Sequence, residues 1–334
     1  MAARNPRPVS LALQGGGAHG AFTWGVLDRL LEDGRIEPRA ISATSAGAMN
    51  ACAMAMGRTQ GGADGARAAL EQFWSAVSRA GAPLRAPGLG RLFPWIDAFT
   101  RLTSPYDLNP FGYDPLRTIL ERQIDFEAVR ACTDLKLFLC ATCVTSGRAR
   151  IFSGEEITLD AVRASAALPF LHHAVEIDGA PYWDGGFTGN PALWPLFYDD
   201  TPGDLLIVHI NPLHRPGTPR SAEDIMDRVN EITFNTSLLA ELRAIAFVQD
   251  LLGSGAVSGP RRERLRALNV HSIKADDALT AWPASTKYDT SWSFLTKLRD
   301  LGRDTAQDWL DTHADAVGVR SSIDLKADFL QPGR

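Results

Sequence analysis

Residues 9–52 read VSLALQGGGAHGAFTWGVLDRLLEDGRIEPRAISATSAGAMNAC. The apolar run over residues 8–14 predicts a buried strand. A glycine nest, Gly15 to Gly20, follows with no polar spacer. Apolar residues then recur at Ala21, Trp24, Val26, Leu27, Leu30 and Leu31, the spacing of one helix face, and Gly34 is placed to end that helix. Residues 40–42 predict a short strand. Thr44-Ser45-Ala46-Gly47 turns the chain, and a helix of small residues runs on to Gly57. A strand, a helix and a strand in so short a span imply a parallel pair joined by a right-handed crossover. The fold class is therefore α/β.

The nest has two chemical readings. Gly15-x-Gly17-x-x-Gly20 between a strand and a helix matches the dinucleotide fingerprint. Backbone N–H groups at a helix N-terminus attract negative charge, and that charge can be a pyrophosphate or a developing oxyanion. A dinucleotide fold needs an acidic residue at the end of the second strand to hold the ribose hydroxyls. Here that strand leads into Ala43-Thr44-Ser45-Ala46-Gly47, and Asp33 and Glu37 come before it. The oxyanion reading is the better fit.

Residues 43–47 form a G-x-S-x-G elbow with Ala43 in the first position. Such a turn needs small residues around its serine, because the passage from strand to helix is tight and strained. It would expose Ser45 as a nucleophile at a helix N-terminus, with the N–H of Ala46 available to an oxyanion. The competing reading is that Ser45 merely caps the helix. A glycine nest on the preceding turn of the same sheet favours the nucleophile.

The base has to come from farther along. Asp184 stands in Trp183-Asp184-Gly185-Gly186-Phe187, a string that by itself also reads as a β-turn. Seven histidines compete with it. His19 lies inside the nest, placed to shape or line the oxyanion hole. His172 and His173 follow Pro169 at a pocket edge, and His209 lies in an apolar strand as a core residue. His214, His271 and His313 have no distinguishing context. A Ser-Asp-His order fits His209, His214 or His271, so dyad and triad both remain open on spacing.

GGGAHG, then TSAG, then DGG followed by Asn190-Pro191, together resemble the patatin-like phospholipase family, in its form as a bacterial serine acyl hydrolase. The resemblance covers about residues 8–215, and Ala164-Ser165-Ala166-Ala167-Leu168-Pro169 is similar to the family's stretch ahead of the D-G-G turn. It implies a Ser45–Asp184 dyad without histidine, with Gly15, Gly16 and Gly17 as oxyanion donors. It also implies a metal-independent mechanism with no cofactor. Ala43 is the departure from the pattern.

The rest of the chain sets the frame. With 334 residues, 45% hydrophobic and 22% charged, it suits a globular protein with a large core. A net charge of −5 argues against nucleic acid as a partner. Residues 1–10 lack an apolar run of signal-peptide length, and no stretch of about 18 apolar residues suggests a membrane span. Those features predict a cytoplasmic protein, and a lipid substrate would place it peripherally at a membrane or lipid surface. Four cysteines are present, and Cys140-x-x-Cys143 lies mid-strand, where a redox pair would not be placed. Residues 58–68 predict a loop and residues 65–79 a helix. Residues 80–112, rich in Pro, Gly and apolar residues, predict a lid, a lipid-facing loop or a buried excursion. Residues 116–130 read as one helix or two, 135–153 as two strands, 159–168 as a helix and 174–186 as a hairpin. Residues 204–212 and 268–274 read as strands, and 222–252 and 291–315 as long helices.

The expected architecture is one three-layer α/β/α domain over residues 1–334, with a mixed, largely parallel sheet. The expected activity is hydrolysis of lipid carboxylic esters. The alternatives are an esterase of an intracellular storage polyester, an acyltransferase, and a catalytically silent lipid-surface protein.

Overall fold

Alternation along the strands builds two faces of a sheet. In β1 (Arg7–Leu13), Val9, Leu11 and Leu13 enter one hydrophobic cluster and Ala12 the other. β2 (Ile36–Ala43) repeats this, with Ile41 and Ala43 on the first face and Ala40 on the second. A period of two in a buried strand is the pattern of a sheet covered on both sides.

The structure is a computed structural model that describes residues 6–82, 104–109, 112–197, 201–258, 262 and 265–331. Most of the 80–112 segment, read as a lid, a lipid-facing loop or a buried excursion, lies outside the described residues. The remaining strands are β3 (Lys136–Cys143), β4 (Ala149–Ser153), β5 (Val175–Ile177), β6 (Ala180–Asp184), β7 (Asp204–His209) and β8 (Asn269–Lys274). They form an eight-stranded sheet in the order β5-β6-β3-β2-β1-β7-β8, with β4 paired to β3. The β1–β2, β2–β3, β1–β7 and β7–β8 ladders are parallel, and those of β4, β5 and β6 are antiparallel. The expected three-layer α/β/α fold with a mixed, largely parallel sheet is present.

Helices α1 (Gly20–Asp33) and α2 (Ala46–Gly81) cover the first face. The second is covered by α3 (Ala222–Gly253), through Leu238, Leu242, Ile245 and Ala246. Gly34 ends α1 in the left-handed conformation, its N–H donating to the Leu30 carbonyl, as the sequence implied.

Three expectations change. The strand at 40–42 begins at Ile36, and the register shifts between Val9 and Ser10, opposite Pro38. Proline cannot donate to a ladder, so an irregularity there accommodates it. The loop at 58–68 is helical; the chain breaks only at Gly61 and Gly62. The strand at 204–212 stops at His209, because the N–H groups of Ile210 and Asn211 turn to the Gln14 side chain. Cys140 and Cys143 are strand residues of β3 as expected, with both thiols free.

The last long helix, α4 (Trp292–His313), lies along α1. Backbones meet there without intervening side chains. A Cβ at Gly25 would collide with the Arg299 carbonyl, and one at Gly302 with the Phe22 carbonyl. Glycine in a helix interior normally costs about 1 kcal/mol relative to alanine. At this crossing the sign reverses, so Gly302→Ala is expected to destabilise by about 1–3 kcal/mol through overpacking. Urea unfolding checks this, and unchanged or raised stability would contradict the close crossing.

Candidate active site

Ser45 lies where β2 passes into α2. Ala43 is the last residue of the strand and pairs with Leu13 and Leu139 on either side. It does not have positive φ, so alanine fits the first elbow position without strain. Ser45 itself has φ 54° and ψ −122°. It is one of two non-glycine residues with positive φ among the described residues. Such a backbone persists only where its surroundings over-determine it. Here the Ser45 N–H donates to Ser165 Oγ at 2.9 Å, and the Met49 N–H donates to the Ser45 carbonyl at 3.1 Å. Behind it, a Cβ at Gly47 would collide with the Leu13 carbonyl. The Ser45 hydroxyl makes no capping bond to the helix. The simple cap reading therefore fails, and the hydroxyl is left for other work.

The nest packs directly on this turn. A Cβ at Gly15 would lie 2.7 Å from Ser45 Cβ and 2.9 Å from the Thr44 carbonyl. Gly15 was expected to offer its N–H to an oxyanion, but that N–H donates to Asn190 Oδ1 at 2.7 Å. The N–H groups of Gly16 and Gly17 have no acceptor among the described residues. Ala46, the first residue of α2, has no intrahelical acceptor for its N–H either.

Asp184 ends β6, with β3 standing between that strand and β2. The turn after it closes the gap. A Cβ at Gly185 would collide with the Cys140 carbonyl and lie 3.0 Å from Thr44 Cγ2. Thr44 Oγ1 donates to the Gly189 carbonyl at 2.6 Å. Gly185 thus lets the turn pass over β3 at Cys140 and reach Thr44, while Gly186 makes room for the Phe234 ring. Asp184 is buried, and its Oδ1 accepts the Gly186 N–H at 2.6 Å. Burial pushes its carboxyl pKa up to about 7, while hydrogen bonds from the Gly186 N–H and the Ser45 hydroxyl pull it down. The serine hydroxyl and the aspartate are therefore within hydrogen-bonding reach.

Four of the seven histidines, His19, His173, His209 and His271, have hydrogen-bond partners elsewhere. Thr286 Oγ1 donates to the Pro283 carbonyl and lies 2.8 Å from His19 Nε2, so Nε2 carries the proton. Burial, then Lys287 and Arg215, lower the His19 pKa to about 3, which keeps the ring neutral. His209 Nδ1 lies 3.4 Å from Asp276, and His271 bridges Asp204 and Ser322. His214 is exposed, and His173 stacks on Tyr106. Among the described residues, no histidine is hydrogen-bonded to Ser45 or Asp184.

Residues 11–197, more than half of the chain, match the model of the patatin-like phospholipase family. The chain belongs to this family. The patatin-like span holds Ser45, Asp184, the nest and Asn190, and ends ahead of β7. No curated protein matches the chain. Among solved structures, it is similar to VipD from Legionella pneumophila, at 15% identity and a TM-score of 0.39, over 98% of this chain and 73% of that one. It is also similar to full-length ExoU, solved with full-length SpcU, from the type III secretion system of Pseudomonas aeruginosa. There the identity is 15% and the TM-score 0.32, over 92% of this chain and 54% of that one.

Several residues of this patatin-like site have supporting hydrogen bonds that a motif reading does not give. Gln14 Oε1 accepts the N–H groups of Ile210 and Asn211, and its Nε2 donates to the Asn190 carbonyl and to Asn235 Oδ1. All four of Gln14, Asn190, Asn211 and Asn235 are buried. The available signal was a polar residue closing an apolar strand, at Gln14 after β1 and at Asn211 after β7. Ser165 is the other support. Ser165→Ala is expected to cost about 1–3 kcal/mol by orphaning the Ser45 N–H and to lower esterase turnover. Thermal unfolding and a chromogenic ester assay check both; an unaltered melting point and rate would deny Ser165 this role.

Proposed function

We propose that the protein is a serine hydrolase of lipid carboxylic esters, working through a Ser45–Asp184 dyad. Family membership supports the lipid ester hydrolase. The observation that carries the dyad is the buried Asp184, within hydrogen-bonding reach of a serine hydroxyl that caps nothing. A carboxylate near its usual pKa of about 4 is a poor base towards serine. One raised to about 7 by burial is matched to neutral pH.

Asp184 takes the Ser45 proton as Oγ attacks the ester carbonyl. The resulting oxyanion accepts the N–H groups of Gly16, Gly17 and Ala46. Asp184 returns its proton to the leaving alcohol, and an acyl-enzyme remains on Ser45. Water then attacks, giving its proton to Asp184, which passes it to Ser45 Oγ as the acyl C–O bond breaks and the acid departs. Net consumption is one ester and one water. Exposed Phe187, in the turn that carries Asp184, and exposed Phe170, just past the stretch that holds Ser165, suit an apolar acyl substrate.

Ser45→Ala and Asp184→Asn are each expected to lower kcat by at least about a thousandfold, since parts of one catalytic unit are not additive. Circular dichroism should show the fold retained. Full activity in Asp184→Asn would remove the aspartate from the mechanism. The base must be ionised, so kcat/KM should rise with pH by about tenfold per unit below the Asp184 pKa and level off above it. The same limb is expected in His19→Gln, because the neutral ring does not titrate there. A limb that disappears on changing His19 would assign the titration to the imidazole instead.

A further inference from the structure

We propose that Asn211 and Lys287 are positioning residues that aim and polarise the Gly15–Gly16 peptide, making the Gly16 N–H a principal donor to the oxyanion. The inference rests on the Ser45 hydrolase reading above.

The Gly15 carbonyl accepts Asn211 Nδ2 at 2.8 Å and Asn190 Nδ2 at 3.4 Å. That carbonyl and the Gly16 N–H belong to one planar trans peptide and point in opposite directions. Clamping the carbonyl from one side therefore fixes where the N–H points on the other. Ile210 packs against Gly16 as well, its Cδ1 3.0 Å from where a Cβ would lie. A donor whose direction is set before reaction costs no reorganisation when charge develops.

Lys287 adds the charge. Its Nζ donates to Asn211 Oδ1 at 2.8 Å. A cationic donor on an amide oxygen draws electron density from the amide nitrogen and strengthens the Nδ2 donor. The same effect passes through the Gly15 carbonyl to the Gly16 N–H, since chained hydrogen bonds polarise one another. Burial pulls the Lys287 ammonium below its ordinary pKa, Glu231 and Asp227 oppose that, and Arg215 adds to it. Glu231 has its own partners in Arg215 and Arg228, so the lysine is not needed to neutralise it. The backbone of Lys287 also packs on the nest, where a Cβ at Gly17 would lie 2.5 Å from its carbonyl oxygen. Residue 287 thus meets the nest both through its main chain and through Asn211. Both relay residues lie beyond the span matched to the family.

The test uses the full chain with Ser45→Ala as control and Lys287→Met, which keeps the stem and removes the charge. The substrate is a short p-nitrophenyl ester, and the inhibitor is an aryl trifluoromethyl ketone, whose serine adduct carries the oxyanion. Lys287→Met is expected to lose about 10–100-fold in kcat, part of what removal of a whole donor costs, with KM within about twofold. Ketone affinity should fall by a similar factor, and Lys287→Arg should recover most of both. If Lys287→Met melts far below the parent, Lys287→Gln replaces it under the same criteria. A kcat within about twofold of the parent, or a lost kcat with ketone affinity intact, overturns the relay. Activity surviving in Ser45→Ala would instead overturn the hydrolase reading itself.

Discussion

The Asn190 side chain ties together two parts of the chain that the sheet alone would leave apart. Its Oδ1 accepts the Gly15 N–H, its Nδ2 reaches the Gly15 carbonyl, and its own carbonyl accepts from Gln14. One amide thus locks the turn after Asp184 to the nest beside Ser45. These groups are fully buried, where an unpaired amide costs about 1–3 kcal/mol. Gln14, Asn211 and Asn235 complete the set, so this end of the sheet either assembles with its hydrogen bonds made or does not assemble. The nest thereby acquires a fixed shape that glycine by itself could not hold.

The elbow uses a different constraint. Ser45 has a backbone conformation that a serine seldom adopts, and close contacts hold it there. Gly47 lets α2 start against the Leu13 carbonyl, Gly15 admits Ser45 Cβ, and Ser165 takes the stray N–H. The hydroxyl is freed from capping by the same turn. Asp184 is reached through close packing as well, since Gly185 lets the turn pass over the Cys140 carbonyl. Burial that costs the carboxylate its charge also raises its basicity, so one packing event produces both proximity and reactivity.

The part of the chain past the family span contributes more than a covering. Thr286 anchors His19, and Lys287 reaches Asn211 from the outside of the nest. The helix that follows crosses the first helix at paired glycines. These contacts couple the C-terminal region to the glycine nest and to α1, which begins where the nest ends.

Asp184 was singled out only through the family resemblance; the local sequence by itself determined the strand–nest–helix–turn order, the end of α1 at Gly34 and the place of Ser45 in the turn. Each is a local matter: side-chain period, the steric freedom of glycine, or a short string with one backbone solution. The tertiary structure decided what no local pattern carries. It gave the Gly15 N–H to Asn190, which narrows the free donors to Gly16, Gly17 and Ala46. It bound His19 to Thr286, engaged His209 and His271 elsewhere, and ended β7 early at the Gln14 side chain. Partners 51 to 267 residues apart leave no period to read. Their pairing follows from which buried polar groups the folded sheet brings within reach, and from the cost of leaving any of them unsatisfied.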